Sequence, residues 1–347
     1  MRKNSIAIGS WIAIAAAVLF GFTTPLIKHF GAASGPFATA ALLYGGAALG
    51  AGIARRRAAE PVLTRAQAPR LLIVALFGAV LAPAALAWGL QRSGGLAGSL
   101  FLNLEAAFTV ALAAFIYREP IGRRVIVACV LMLAAGGALA LRTQSAASSS
   151  AVGLVALAVA TFAWGVDNTL TRPLADFEPG AVVFWKGTLG ATLSASLALG
   201  VGDSWPHGIA LAALVGCGAS GYGLSLRLYL RAQRLLGAAR TGSLFALAPF
   251  VGAAVAYAMG DQGGPWLVFF AAVLFAWASY LHVTEDHQHG HRHEALDHEH
   301  AHTHDDGHHD HQHDPPVTGS HTHPHHHVPS EHDHSHGSDL HHRHRHD

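Results

Sequence analysis

The sequence is poor in the residues that crosslink or catalyse. It has 2 cysteines in 347 residues, Cys129 and Cys217, and both fall in stretches that read as helices. That argues against a disulfide framework and against a thiolate metal site. No nucleotide-binding loop, zinc-protease pattern or paired nucleophile and base stands out, so no enzyme chemistry is expected and no cofactor is required. Nothing points to nucleic acid. Charge is also scarce, at 12% of residues, and residues 1–284 hold only 8 acids. The alternating ten-residue segments of a membrane strand barrel are missing. Arg2 and Lys3 precede an apolar run from Ile6 to Phe22, as in a signal peptide, yet no clear small-residue cleavage site follows. A retained first helix is expected.

What is present divides into two regimes. Residues 1–284 carry 19 Lys+Arg against 8 Asp+Glu, and residues 285–347 carry 3 against 13 together with 24 of the 27 histidines. The first regime is built from nearly uncharged stretches of about 20 residues, the length of helix that crosses a bilayer core. Such segments must satisfy their own backbone groups, which selects helices. Spans are expected near 6–28, 33–54, 70–91, 95–117, 122–141, 152–174, 179–200, 208–230, 238–259 and 265–283. Turn signals separate them, among them Ser34-Gly35-Pro36, Glu178-Pro179-Gly180 and Gly263-Gly264-Pro265. Basic residues set the orientation. With a cytoplasmic N-terminus, the inner loops receive Arg55 to Arg57, Arg118, Arg123, Arg124, Arg172 and Arg231 among others, while the outer side holds only Lys28, Arg92 and Arg142. An even number of spans returns the C-terminus to the cytoplasm, in what reads as a cell (inner) membrane.

The chain also repeats itself. Gly98-Ser99-Leu100-Phe101 recurs as Gly242-Ser243-Leu244-Phe245, an offset of 144. The same offset lays Phe20-Gly21 on Trp164-Gly165 and Lys28 on Arg172. Two five-helix units follow, residues 6–141 and 152–283. An odd helix number turns the second unit upside down relative to the first, which is a transporter architecture with its site near the midplane. The fold class is therefore an all-α membrane protein of ten helices in two inverted repeats, with a disordered tail over 285–347.

Three stretches resemble a known family. They are Phe20-Gly21-Phe22-Thr23-Thr24-Pro25-Leu26-Ile27-Lys28, Phe115-Ile116-Tyr117-Arg118-Glu119-Pro120-Ile121-Gly122 and Phe162-Ala163-Trp164-Gly165-Val166-Asp167-Asn168. With the helix count and duplication, they make the chain similar to the drug/metabolite transporter superfamily, EamA type. The resemblance implies a central cavity between inverted halves and export or exchange of small metabolites. It also implies a Pro in the fourth helix of each half. The second half has Pro249, whereas the first has Glu105 at the equivalent place.

Few polar groups fall at bilayer depth, where charge is costly and tends to mark function. Glu105 and Asn103 lie near the centre of the fourth span, about 200° apart on a helix, so they cannot both face one cavity. Glu105 reads as a proton carrier or cation ligand, or as a protonated helix contact. Asp167 and Lys186 sit at matching depth on neighbouring spans, which suits a structural ion pair or a site where substrate competes for it. Trp164, Asp167, Asn168 and Thr171 share one helical face, either a cavity wall or a helix contact. Thr24 and Pro25 free backbone carbonyls for a ligand or simply shape packing.

The tail alternates histidine with acids. His287, His289, His291 and His293 form one run, and His298, His300, His302 and His304 a second. His308, His309, His311 and His313 follow, then His321, His323, His325, His326 and His327, then His332, His334 and His336. Neutral imidazoles at alternate positions favour Zn, Ni, Co or Cu ions. A pH-sensitive solubilising tail is the plainer reading, and a purification tag fits the interleaved pattern poorly. The expected function is a secondary exporter that moves or responds to transition-metal ions. The alternative is an amino-acid or small-metabolite exporter whose tail only buffers or senses metal. Expected partners are the lipid bilayer, a small-molecule or ion substrate, divalent metal ions and, in a homodimer, a second copy of the chain.

Overall fold

The computed structural model describes residues 2–53, 63–117, 122–143, 149–174, 177–236, 238–261, 265–283, and 288–293, 296–302, 321–327 and 330–335 of the tail. The body is helical. In the first half run α1 (Arg2–Phe30), α2 (Pro36–Ile53), α3 (Ala68–Ala75), α4 (Ala82–Arg92), α5 (Gly95–Phe101), α6 (Leu104–Tyr117) and α7 (Arg123–Thr143). In the second run α8 (Ser149–Thr171), α9 (Pro179–Val201), α10 (Gly208–Cys217), α11 (Ser225–Leu236), α12 (Ala238–Phe245), α13 (Ala248–Ala258) and α14 (Pro265–Val283).

Ten uniform spans were expected, and the helices are less uniform. Among the described residues, seven helical stretches are long and apolar enough to cross a membrane: 7–30, 36–53, 65–92, 95–117, 151–171, 179–201 and 208–233. The other three expected spans coincide with α7, with α12 plus α13, and with α14. Large apolar side chains face outward, including Ile53 at 88%, Phe115 at 84% and Trp266 at 82% exposure, as a lipid-facing surface requires.

Two irregularities recur in both halves, the helix breaks at the 144 offset and the π-helical segments within two residues of it. A π-helical segment, Leu76–Leu81, joins α3 to α4, and another, Gly218–Leu224, joins α10 to α11. The chain breaks between α5 and α6 at Leu102-Asn103, and between α12 and α13 at Ala246-Leu247. Packing repeats in the same way. α4 lies on α8 as α1 lies on α11, and α6 lies on α8 as α1 lies on α13. α2 packs on α9, and each of the two also packs on the π segment of the other half.

The core between helices is made of small residues, so backbones approach closely. A Cβ at Gly46 would strike the Val215 carbonyl, and one at Gly190 would strike Ala79. Ends are capped by acids. The Glu178 carboxylate accepts from the Gly180 and Ala181 amides at 2.9 and 2.6 Å and starts α9, with Pro179 in the first turn. Asp203, just past α9, accepts from the Phe37 and Ala38 amides at 2.8 and 3.0 Å. An acid of the second half thus caps α2 of the first, where the helix dipole favours negative charge.

In the tail, β1 (Gln288–His293) pairs antiparallel with β4 (Ser330–Ser335), and β2 (Leu296–His302) with β3 (His321–His327). Strand pairing therefore stands where composition led to an expectation of disorder. Alternating histidine leaves the backbone extended, and extended segments can pair through the main chain without an apolar core.

Candidate functional site

The break after α5 is what positions Glu105. Asn103 lies in that break, buried, and its Nδ2 donates to the Leu100 carbonyl at 2.9 Å. Glu105 follows in the first turn of α6, where the helix dipole favours a carboxylate. Its Oε1 accepts from Asn168 Nδ2 of α8 at 2.6 Å. Glu105 is only partly buried and Asn168 is exposed, so this pair faces open space rather than packed protein.

One residue before Asn168 the environment reverses. Asp167 and Lys186 are both about 4% exposed, and Lys186 Nζ of α9 lies 2.5 Å from Asp167 Oδ2. Thr171 Oγ1 donates to the other carboxylate oxygen at 3.1 Å. Gly78, in the first π segment, lets Asp167 sit where it does, because a Cβ there would collide with the carboxylate. The Gly78 carbonyl accepts from the Tyr44 hydroxyl and from Trp164 Nε1, the latter at 3.2 Å. The shared face of α8 is thus divided. Trp164 and Asp167 are buried against α9 and the π segment, while Asn168 turns to α6.

Aromatic rings close the centre. Phe20 of α1 has ring centroids 6.0 Å from Trp164, 5.5 Å from Tyr222 and 5.6 Å from Phe245. Tyr44 and Tyr222 are 5.4 Å apart. The Tyr222 hydroxyl is buried with no hydrogen-bond partner. Composition offered one signal for these residues: Tyr44 and Tyr222 place a hydroxyl in the middle of apolar spans. Thr24 and Pro25 are buried in α1. The Gly21 carbonyl, freed by Pro25, lies where a Cβ at Gly252 of α13 would come within 3.0 Å of it, so this stretch forms a close helix contact.

A second polar cluster lies at the Lys28 end of α1. Lys28 Nζ is 2.7 Å from Asp261 Oδ2, just past α13, and the same oxygen accepts from the Gly95 amide at the start of α5. Burial alone would raise the Asp261 carboxyl. The Lys28 hydrogen bond and charge, with the Gly95 and Leu96 amides, more than offset it and hold the group below its ordinary value. At the offset of 144, the counterpart of Asp261 is Tyr117, whose hydroxyl donates to the Thr169 carbonyl at 3.0 Å.

Among the described residues no group of three or more His, Cys, Asp or Glu side chains is arranged to hold a metal ion. The tail histidines named above lie outside the described side chains.

Residues 7–139 match the model of the EamA-like transporter family. An "Uncharacterized transporter" of Methanothermobacter thermautotrophicus is 29% identical over 197 residues, 54% of this chain and 56% of the relative. The chain therefore spans about half the length of that curated relative. A solved crystal structure, 19% identical, superposes with a TM-score of 0.60 over 80% of this chain and 97% of its own, a likeness of fold. The long apolar helices and the apolar exterior define a multi-pass membrane protein, similar over residues 7–139 to EamA-like transporters.

Proposed function

We propose that the protein is a secondary exporter of a small solute, working as an inverted pair of five-helix units with both ends of the chain in the cytoplasm of an inner membrane. The observation that carries this reading is the half-buried Glu105, held by Asn168 of the other half at a break in the bundle. A carboxylate at that depth, reachable from open space, suits a proton or cationic solute. The ion pair Asp167–Lys186 beside it keeps α8 against α9. Coupling to an ion gradient fits this arrangement, and the chain is read as a transporter and not an enzyme.

The tail is read as a cytosolic binder of Zn, Ni, Co or Cu that senses or collects metal beside the inner end of the bundle. The central groups favour metal as regulator over metal as cargo, since one carboxylate and one amide make a thin ligand set for a divalent ion. The test is deletion of the gene, followed by measurement of cell-associated Ni, Co, Zn and Cu and of growth on an amino-acid panel. Unchanged metal content with altered amino-acid tolerance supports the regulator reading. Altered metal content supports metal as cargo, and no change in either sinks the exporter.

A further inference from the structure

We propose that the strands of the tail form a ribbon closed by divalent transition ions of the Zn(II) class, each ion held by four histidines from two neighbouring His–His pairs of the strand register. The proposal rests on the reading of the tail as a metal binder and names the sites, their number and what they do to the chain.

The register comes first. In β2 and β3, His298 stands opposite His325, His300 opposite His323 and His302 opposite His321. In β1 and β4, His289 stands opposite His334 and His291 opposite His332. The last pair of the outer ladder is His293 with Ser330. Three positions further along each strand comes Leu296 with His327, the first pair of the inner ladder. Both ladders thus keep one register, as the two arms of a single hairpin do. A slip of one position either way would set most of these histidines against Pro324, Thr322, Asp333 or Glu331.

Donor chemistry comes second. Positions two apart along a strand share a face, and directly opposite positions of an antiparallel pair stand about 5 Å apart. Two successive His–His pairs therefore put four histidine positions on one face, with about 7 Å between the pairs. Four neutral nitrogen donors complete a tetrahedral shell for Zn(II), while Mg(II) and Ca(II) demand oxygen. Neither cysteine lies in the tail, so no thiolate competes for the ion. The outer ladder has two His–His pairs, enough for one ion. The inner ladder has three, enough for one ion with a pair to spare.

The third observation is what the ribbon lacks. β2 offers only Leu296 and Ala301 as apolar residues, β3 only Pro324, and β1 and β4 none. A two-stranded ribbon without an apolar face is marginal in water. Ions that bridge the strands supply the missing free energy, so metal binding and strand pairing are one event. Chelation within a single strand would leave pairing independent of metal, and this is where the two arrangements part.

The experiment titrates the full chain, purified in detergent, with Zn(II) in equilibrium dialysis, with Mg(II) as control. A tight step at about two Zn(II) per chain is expected, and none for Mg(II). His321→Ala, His323→Ala and His325→Ala together remove one side of the inner ladder and should take the step from about two ions to about one. His308→Ala, His309→Ala and His311→Ala remove as many histidines between the strands and should leave the step unchanged. Hydrogen exchange supplies a second reading. Zn(II) should slow the amides of 296–302 about tenfold or more, and the β3 variant should lose this protection although β2 keeps its own histidines. Three results overturn the ribbon while the tail remains a metal binder: no step at about two ions, equal loss from both triple variants, or β2 protection that survives without the β3 histidines. Absence of Zn(II) binding by the full chain removes both readings.

Discussion

Lys28 and Asp261 are 233 positions apart in the chain and 2.7 Å apart in the fold. Because Asp261 also accepts from the Gly95 amide, one carboxylate ties α1, the start of α5 and the end of α13. The pair is a quarter to a third exposed, so solvent screens it and about 1 kcal/mol is a fair magnitude. Asp261→Asn is therefore expected to lower the melting temperature of the detergent-purified protein by a few degrees. The carboxyl is held below its ordinary value, so its contribution is complete above the ordinary carboxylate range and disappears as pH falls through the lowered value. Melting curves of wild type and Asp261→Asn should differ by a constant amount from pH 5 to 8 and converge only in stronger acid. A difference that shrinks between pH 7 and 6 would contradict this.

The pair Asp167 and Lys186 behaves differently because it is buried. Lys186→Met leaves a carboxylate without its cation and should cost about 3–5 kcal/mol. The double variant Asp167→Asn with Lys186→Met removes both charges and should recover much of that loss. Thermal unfolding of the four proteins in a double-mutant cycle gives the coupling directly.

Glu105 and Asn168 should separate transport from stability. Glu105→Gln keeps the hydrogen bond to α8 and removes the titrating group, so the fold is expected to survive while transport loses its pH dependence. Transport in vesicles across a pH gradient measures this. Unaltered pH dependence in the variant rules out a proton role for Glu105.

Two glycines give a steric contrast. Gly78→Ala pushes a methyl into the Asp167 carboxylate and should destabilise by about 1–3 kcal/mol. Gly137→Ala in α7 meets nothing within 4 Å and should stabilise the helix by about 0.5–1 kcal/mol. Melting temperatures moving in the same direction for both would disprove the assignment of Gly78 to close packing.

The histidine tail is expected to carry the metal affinity of the whole chain. Removal of residues 285–347 should abolish Zn(II) and Ni(II) binding in equilibrium dialysis and leave the body's melting temperature unchanged. Retained binding by the shortened chain would place metal ligands in the body.

Much of this architecture was legible because bilayer chemistry writes itself into the chain. Stretches such as 36–53 and 179–201 are apolar, ended by Gly, Pro or acids, and their limits could be read within a few residues. The offset of 144 was visible in Gly98 to Phe101 and Gly242 to Phe245, and the helix breaks follow the same offset, with the π segments within two residues of it. Depth along a helix brought Asp167 and Lys186 to one level, and the structure joins them. Partners such as Asn168 for Glu105, Asp261 for Lys28 and Asp203 for α2 were not legible. Each joins the two halves across long separations, and only the packing of helices decides which loop end meets which helix start. The break at Leu102-Asn103 was hidden too, because its residues carry ordinary helical preferences and no Pro marks it.

The two π segments hold a consequence of their own. A π turn stores one surplus residue in a helix that is otherwise wound at 3.6 per turn. If that surplus migrates by a turn, every side chain it passes rotates by about 100° around the axis while the helix keeps its ends in place. Tyr222 lies within one such segment and Gly78 within the other. A moving dislocation in either helix would swing Tyr222 out of the aromatic group, or withdraw the carbonyl that holds Tyr44 and Trp164, without any helix having to tilt.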